Sequence, residues 1–344
     1  MKRTPDRLGG GKLRDHPEVV AAWAGDPGPG PGPLVVEVTV TGGCNHNCVH
    51  CGSQQFRPYS EIKTFIERQA FQRFLLDFRA MGGIEVFFAG WGEPLVNPEI
   101  EKLVAFSGEL GLSNVMSSNG VALTEAKACA ILPHLNWIRF SVNGGDADTY
   151  AGVHHCAPAD YEKLERNLKA ADRVRREEGL DVRLLLQFIV LDDNYQTIKQ
   201  AVDFHKAVGS DQIVFRNAGD RERSRPEPWL EIKESLDEVD NGGDVIVRWE
   251  TFEQNGNAAP WRRCHGINFR INMESSGQLV TCSKHLIENS AYGNILFKRF
   301  PDIWKSKRRA EVFARVESGE GISECSRFCQ VAADNLFLDG ERGK

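Results

Sequence analysis

The chain has 344 residues, of which 41% are hydrophobic and 26% charged, proportions that are ordinary for a globular protein. Its formal net charge of −6 argues against a nucleic-acid-binding protein, because phosphate binding needs a basic surface. No apolar run approaches the roughly 20 residues of a membrane-spanning helix, and residues 1–11 are too polar for a signal peptide. We therefore expect a cytoplasmic protein with neither a nucleic acid nor a membrane as partner.

The first part of the chain, residues 1–33, is predicted to be a flexible N-terminal arm. Residues 26–33 read Asp-Pro-Gly-Pro-Gly-Pro-Gly-Pro. Proline lacks the N–H group that a helix or a central strand needs, and glycine leaves the backbone unrestrained.

Residues 34–217 alternate between strand and helix patterns, which predicts an α/β fold with a parallel sheet buried on both faces. The predicted strands are 34–41, 84–89, 113–118, 137–142, 182–191 and 212–216. The predicted helices are 62–81, 98–110, 124–132, 160–176 and 195–208. Residues 218–260 read as a connecting segment, with one more strand at 245–249, and residues 261–344 as a second, smaller domain.

Three cysteines follow the first predicted strand with the spacing C-x3-C-x2-C, at Cys44, Cys48 and Cys51. Nine cysteines without a secretion signal argue against a disulfide framework. Three thiolates on one tight loop suit an iron–sulfur cluster with one iron left open for a small molecule. A structural zinc site, with His46 or His50 as fourth ligand, is the alternative.

A second cysteine set lies in the C-terminal part. Cys264 and Cys282 flank a predicted hairpin at 268–281, and Cys325 and Cys329 follow a predicted helix at 301–316. Four cysteines can ligate one site completely, and zinc fits that number as well as a cluster does.

The two sets together resemble the radical S-adenosylmethionine (SAM) superfamily with a C-terminal twitch/SPASM-like domain. The resemblance implies a partial (β/α)6 TIM-like barrel followed by a small β-hairpin-plus-helix iron–sulfur domain. It implies a SAM-binding 4Fe–4S cluster on Cys44, Cys48 and Cys51, and an auxiliary 4Fe–4S cluster on the other four cysteines. It also implies reductive cleavage of SAM to a 5′-deoxyadenosyl radical, with a flavodoxin or ferredoxin as electron donor.

Further residues after the predicted strands match positions that contact SAM in the family. Gly90-Trp91-Gly92-Glu93-Pro94 resembles the motif that binds the SAM amino group, through Gly92 and Glu93. The other candidates are Ser141 and Asn143 for the ribose, His50 near the adenine, Arg166 for the carboxylate, and Gln187 for SAM, the substrate or a core hydrogen bond.

The resemblance leaves the reaction open. Our leading hypothesis is a two-electron oxidation of a small natural-product intermediate such as an aminosugar or cyclitol. The alternative is crosslinking or epimerisation of a ribosomally made peptide, with Cys156 as hydrogen donor and His154 or His155 as proton acceptors. A non-catalytic zinc or iron–sulfur scaffold is the third reading.

Overall fold

The computed structural model describes residues 12–25, 32–51, 64–218, 226–252, 261–282, 289–325 and 329–342. Within them, ten strands form one sheet in the order β10-β9-β8-β1-β2-β3-β4-β5-β6-β7. From β1 to β10 the strands are Val35–Val38, Glu85–Phe88, Ser113–Ser118, Trp137–Ser141, Arg183–Val190, Gln212–Asn217, Val245–Val247, Arg270–Met273, Gln278–Val280 and Ala291–Asn294. Strands β1 to β7 pair in sequence order and in parallel, which confirms the predicted α/β fold.

The helices alternate with these strands. Numbered α1 to α11, they are Pro17–Gly25, Arg68–Ala80, Ile100–Glu109, Glu125–Ile131, Ala147–His154, Ala159–Glu177, Ile198–Val208, Trp229–Val239, Phe300–Trp304, Lys307–Glu317 and Ala332–Arg342. None of the helices in the described ranges is long and apolar enough to cross a bilayer.

Four helices, α1, α5, α8 and α11, lie where no helix was predicted, and one predicted helix is divided. Helix α5 (Ala147–His154) occupies the expected loop after β4, and α8 (Trp229–Val239) lies in the expected connecting segment. The helix predicted at 301–316 breaks before Ser306, whose hydroxyl accepts a hydrogen bond from the Arg309 amide and starts α10.

Side chains alternate between the two faces of the sheet. One face packs against the helices through Val36, Phe88, Phe140, Phe188 and Phe215, all fully buried. The residues between them face the opposite side, where Phe87, Ala89 and Val115 form a small separate cluster. We call this opposite side the inner face.

The sheet curls around its inner face. Arg139 on the central strand β4 interacts electrostatically with Glu37 and Arg270 on one side of the sheet and with Arg248, just beyond β7, on the other. Charges from both sides reach one side chain because the sheet is bent into a partial barrel. The carboxyl ends of parallel strands in such a barrel are the usual location of a functional site.

The C-terminal hairpin continues the barrel sheet instead of forming a separate one. Strand β8 pairs in parallel with β1, with Ile271 opposite Val36. Phe300 of α9 packs on Phe74 of α2 with ring centroids 4.9 Å apart. Apolar contacts and backbone pairing thus join this hairpin and α9 to the barrel, and the division of residues 261–344 into a separate small domain stays a prediction.

The prediction of a flexible arm needs correction for residues 12–25, which the structure packs against the rest of the chain. Val20 and Trp23 of α1 are buried, and the Trp23 ring meets the Phe269 ring edge-on at 5.5 Å. The apolar side of this helix covers the start of the C-terminal hairpin. Residues 1–11 and 26–31 lie outside the described residues.

Candidate metal and cofactor site

The cysteine loop follows β1 and is held by the C-terminal end of α5. The Asn47 and Val49 amides donate to the His154 and Val153 carbonyls at 3.1 and 2.9 Å. The last carbonyls of a helix lack partners within it, so they are available to a neighbouring loop. A helix that the sequence did not reveal thus fixes the backbone of the predicted cluster loop.

The three sulfurs of this loop are a donor set suited to a metal cluster. All nine cysteines lie in the described ranges, and none of them forms a disulfide. Burial, then the neighbouring Cys51 and Cys44, raises the pKa of the Cys48 thiol above its ordinary value. A bound metal deprotonates its thiol ligands and supplies the positive charge that three clustered thiolates need. The donor chemistry therefore fits a cluster, and we treat these cysteines as its candidate ligands.

Two glycines let the turn after β2 pack directly against the cysteine loop. Gly90 has a φ of +103°, and a β-carbon on it would lie 1.8 Å from the Thr39 hydroxyl. A β-carbon on Gly92 would lie 2.0 Å from the Thr41 carbonyl oxygen. Any side chain here would displace the backbone that leads into the cysteines.

Glu93 is almost completely buried and accepts three hydrogen bonds from the protein. Its carboxylate binds the Leu95 amide at 3.0 Å, the Ser118 hydroxyl at 2.7 Å and the Asn119 amide at 2.7 Å. Burial raises the pKa of Glu93, and these donors together with Lys127 oppose that rise. The carboxylate thus ties the ends of β2 and β3 together, and its contact with the SAM amino group stays a prediction.

Asn119 extends this link to the cysteine loop, and the sequence analysis missed it. Its amide nitrogen donates to the Asn45 side-chain oxygen at 2.7 Å, between Cys44 and Cys48. The polar run Ser118-Asn119-Gly120 directly after a buried strand was the available signal.

Asn143 lies beyond the end of β4 and is fully buried. Its side chain accepts from the Ile189 amide at 2.8 Å and lies 3.3 Å from both His50 and His154. Protein partners thus occupy the amide that was predicted to contact the SAM ribose. Ser141 and Gln187 lie opposite each other on the inner face, on β4 and β5, and keep their predicted roles as candidates.

Histidine side chains pack around the cysteine loop. His154 stacks on Tyr150 at 4.2 Å and meets the His46 ring edge-on at 5.3 Å. Burial, then His50 and His46, holds the pKa of His154 well below its ordinary value. This ring therefore resists protonation, and the role of His154 as a proton acceptor in catalysis stays a prediction. His155 ends α5 in the left-handed conformation with a φ of 47°.

Cys156 lies beside the cysteine loop with His46 and Asp160. The ligand atoms of these three residues lie within 4.8 Å of one another. Burial, then Asp160, raises the pKa of the Cys156 thiol to about 11. The sulfur therefore stays protonated at neutral pH, and its role as hydrogen donor stays a prediction.

The structure does not bring Arg166 to the strand ends. Its side chain is 66% exposed on the outer side of α6 and lies 3.9 Å from Glu162 of the same helix. The apolar residues Leu164 and Leu168 occupy the inward side of this helix. Arg166 is therefore a solvated surface residue, and exposed ion pairs of this kind contribute little to stability.

The C-terminal cysteines lie in segments that pack together. Cys264 is buried, accepts a hydrogen bond from Asn335 at 3.5 Å and interacts electrostatically with Cys329. Asn335 also accepts from the Gly266 amide at 2.8 Å. Helix α11 thus fixes the position of the first cysteine of the set, close to the last one.

The sequence of the chain is similar to those of known proteins. The sequence profile of the Radical SAM superfamily matches residues 38–205. The chain is 26% identical over 328 residues to an AdoMet-dependent heme synthase of Methanosarcina barkeri, across 84% of this chain and 88% of that protein. It is 29% identical over 184 residues to an Fe-coproporphyrin III synthase of the same organism, across 53% of this chain and 43% of that protein.

Solved structures share the fold at low identity. SuiB of Streptococcus suis bound to S-adenosylmethionine superposes with a TM-score of 0.63 at 15% identity, over 93% of this chain and 78% of that one. The structure of anSMEcpe with bound AdoMet superposes with a TM-score of 0.56 at 14% identity, over 90% of this chain and 99% of that one.

Residues 38–205 are therefore a radical SAM superfamily domain. The protein is a radical SAM enzyme that binds SAM, and its cofactors include a 4Fe–4S cluster held by three cysteines.

Proposed function

We propose that the protein holds its SAM-binding cluster on Cys44, Cys48 and Cys51 and oxidises a small, carboxylate-bearing substrate inside the curled sheet. When bound, the cluster and SAM supply a 5′-deoxyadenosyl radical that removes a hydrogen atom. An auxiliary cluster on Cys264, Cys282, Cys325 and Cys329 would supply the acceptor for one electron. The substrate then loses a hydrogen atom, an electron and a proton, a net two-electron oxidation.

The observation that carries the substrate class is Arg139 on the inner face. Its guanidinium donates to the Ser117 hydroxyl at 2.8 Å and lies 5.8 Å from the centroid of the Trp137 ring. Burial, then Arg248, lowers its pKa to about 10, so the arginine remains charged at neutral pH. Within the described residues it has no carboxylate at ion-pair distance. A partly buried guanidinium without a carboxylate in direct ion-pair contact favours an anionic ligand.

Nearby charges on the inner face strengthen this argument. Arg270 and Arg216 share the face with Arg139, and Arg270 pairs with Glu37 at 2.8 Å. Arg183 and Glu85 lie on the same face, so four arginines stand against two glutamates. This excess of positive charge on the inner face disfavours the cationic aminosugar of our leading hypothesis. Relatives named heme synthase and Fe-coproporphyrin III synthase suggest an iron porphyrin as the first probe, since porphyrin side chains can carry carboxylates.

Replacing Arg139 with glutamine tests the substrate class. A lost charge-assisted hydrogen bond costs about 1.5–3 kcal/mol, so substrate-stimulated formation of 5′-deoxyadenosine should fall about tenfold or more. The assay uses iron coproporphyrin III as probe and measures 5′-deoxyadenosine by chromatography. Binding of SAM should be unchanged, because Arg139 lies below the strand ends.

The matched control is Arg173→Gln, which removes an exposed arginine of α6 that pairs with Glu125. It should behave like the wild type. Equal stimulation by the probe in Arg139→Gln and wild type would reject the role of Arg139. Stimulation by peptides alone, with no response to any carboxylate-bearing small molecule, would reject the substrate class.

Peptide epimerisation is the second candidate, favoured by the protonated thiol of Cys156 beside the cysteine loop. An epimerase needs a hydrogen atom returned to its substrate radical, whereas an oxidase does not. In Cys156→Ala, the amount of epimerised product should fall about tenfold or more if the protein is an epimerase, while 5′-deoxyadenosine should still form. An oxidase should be nearly unaffected, and mass spectrometry of the product in D2O distinguishes the two.

A further inference from the structure

The orientation of the Asn143 side chain is fixed by a backbone group. The Ile189 N–H donates to Asn143 Oδ1 at 2.8 Å, and a backbone N–H can only donate. The amide oxygen therefore faces β5. The amide nitrogen faces the histidines, 3.3 Å from His154 Nε2 and 3.3 Å from His50 Nε2.

This orientation determines which nitrogen of His154 carries the proton. An amide nitrogen donates and does not accept, so His154 Nε2 is the acceptor of the Asn143 hydrogen bond. In a neutral imidazole the other nitrogen then carries the hydrogen. That nitrogen, Nδ1, lies 3.2 Å from Cys48 Sγ. The chain from the Ile189 amide through Asn143 thus directs an N–H group at one sulfur of the cysteine loop.

We propose that His154 is a positioning residue whose Nδ1–H donates a hydrogen bond to the Cys48 sulfur and raises the reduction potential of the cluster on this loop. The inference rests on the proposed assignment of Cys48 as a cluster ligand. A hydrogen bond to a ligand sulfur stabilises the reduced cluster more than the oxidised one, because the reduced cluster carries one more negative charge.

The surroundings of His154 suit this role. The side chain is 1% exposed, its ring stacks on Tyr150 at 4.2 Å, and its backbone carbonyl accepts from the Asn47 amide at 3.1 Å. The ring packs against Tyr150 and is shielded from water, so its N–H has no competing solvent partner. Cys44 accepts instead from a backbone group, the His46 amide at 3.4 Å.

A redox titration followed by electron paramagnetic resonance (EPR) tests the proposal without relying on turnover. His154→Phe keeps a ring against Tyr150 but removes the donor, and reduction should become about tenfold less favourable, a fall of about 59 mV for one electron. His154→Gln offers an amide N–H and should recover part of that loss. His205→Phe, which removes another buried histidine bound to Ser210 and Asp244, should leave the potential unchanged.

Iron content distinguishes a failure of the proposed cluster ligand Cys48 from a failure of the proposed His154 hydrogen bond. If Cys48→Ala leaves the iron content unchanged, the ligand assignment fails. If His154→Phe keeps its iron and its potential equals that of the wild type, the hydrogen bond fails while the ligand assignment stands.

A second measurement covers the case in which His154→Phe does not retain its cluster. Wild-type protein labelled with 15N-histidine and reduced without SAM should show a weak 15N coupling to the loop cluster in pulsed EPR. His154→Gln should lack that coupling. A wild-type spectrum with no histidine coupling would overturn the proposal.

Discussion

Replacing Cys44, Cys48 and Cys51 together with alanine should lower the iron content from about eight to about four atoms per chain, four for each lost cluster. Formation of 5′-deoxyadenosine should fall to background, because no open iron remains to bind SAM. Iron and sulfide analysis after anaerobic reconstitution measures the first effect, and chromatography of the reaction mixture measures the second.

The matched control is Cys129→Ala on α4, whose cysteine is exposed and outside both sets. Its iron content and activity should equal those of the wild type. A triple variant that keeps all its iron, with circular dichroism like that of the wild type, would contradict the assignment of the loop.

Replacing Cys264 and Cys329 with alanine should remove about four irons and leave the loop cluster in place. SAM cleavage should persist, whereas the oxidised product should be lost, because the substrate radical then lacks its electron acceptor. These two cysteines are chosen because they lie near each other in the structure and Cys264 is already positioned by Asn335. The measurement compares 5′-deoxyadenosine with oxidised product in the same reaction.

Metal analysis of the wild type can contradict an auxiliary iron–sulfur cluster on the second cysteine set. About four irons with one zinc per chain would assign the second set to zinc. The substrate radical would then have no second iron–sulfur cluster as electron acceptor, and a redox-neutral reaction would replace the oxidation. Cys129→Ala serves again as the control for thiol loss without ligand loss.

The regular part of the fold was predictable because its signals are local. Buried apolar runs marked the strands, and the β3 bounds, Ser113–Ser118, agree with the prediction. A helix was predicted at 124–132, and Thr124 caps the start of α4 by accepting from the Lys127 amide at 3.3 Å. Helix α5 escaped prediction because it is short and carries no clear apolar stripe, although Asp146 caps it through the Thr149 amide at 2.8 Å.

The sequence could supply candidate ligands for the site, whereas it revealed the surroundings of those ligands only in part. The cysteine spacing lies within one short segment of sequence, so it needs no knowledge of the fold. The contacts of Glu93 with Asn119, and of His154 with Cys48, join residues 26 and 106 positions apart, and only the sheet brings them together. Arg166 is the opposite case. Its position in the sequence resembles that of a SAM-binding arginine in the family, but its side chain lies on the exposed side of a helix.

The most direct test of the central claim is the EPR spectrum of the reduced protein with and without SAM. An open iron that binds SAM predicts a cluster signal whose g values shift when SAM is added, and the loss of that signal in the Cys44, Cys48 and Cys51 triple variant. A reduced cluster signal that SAM leaves unchanged, or that survives in the triple variant, would contradict a SAM-binding cluster on this loop.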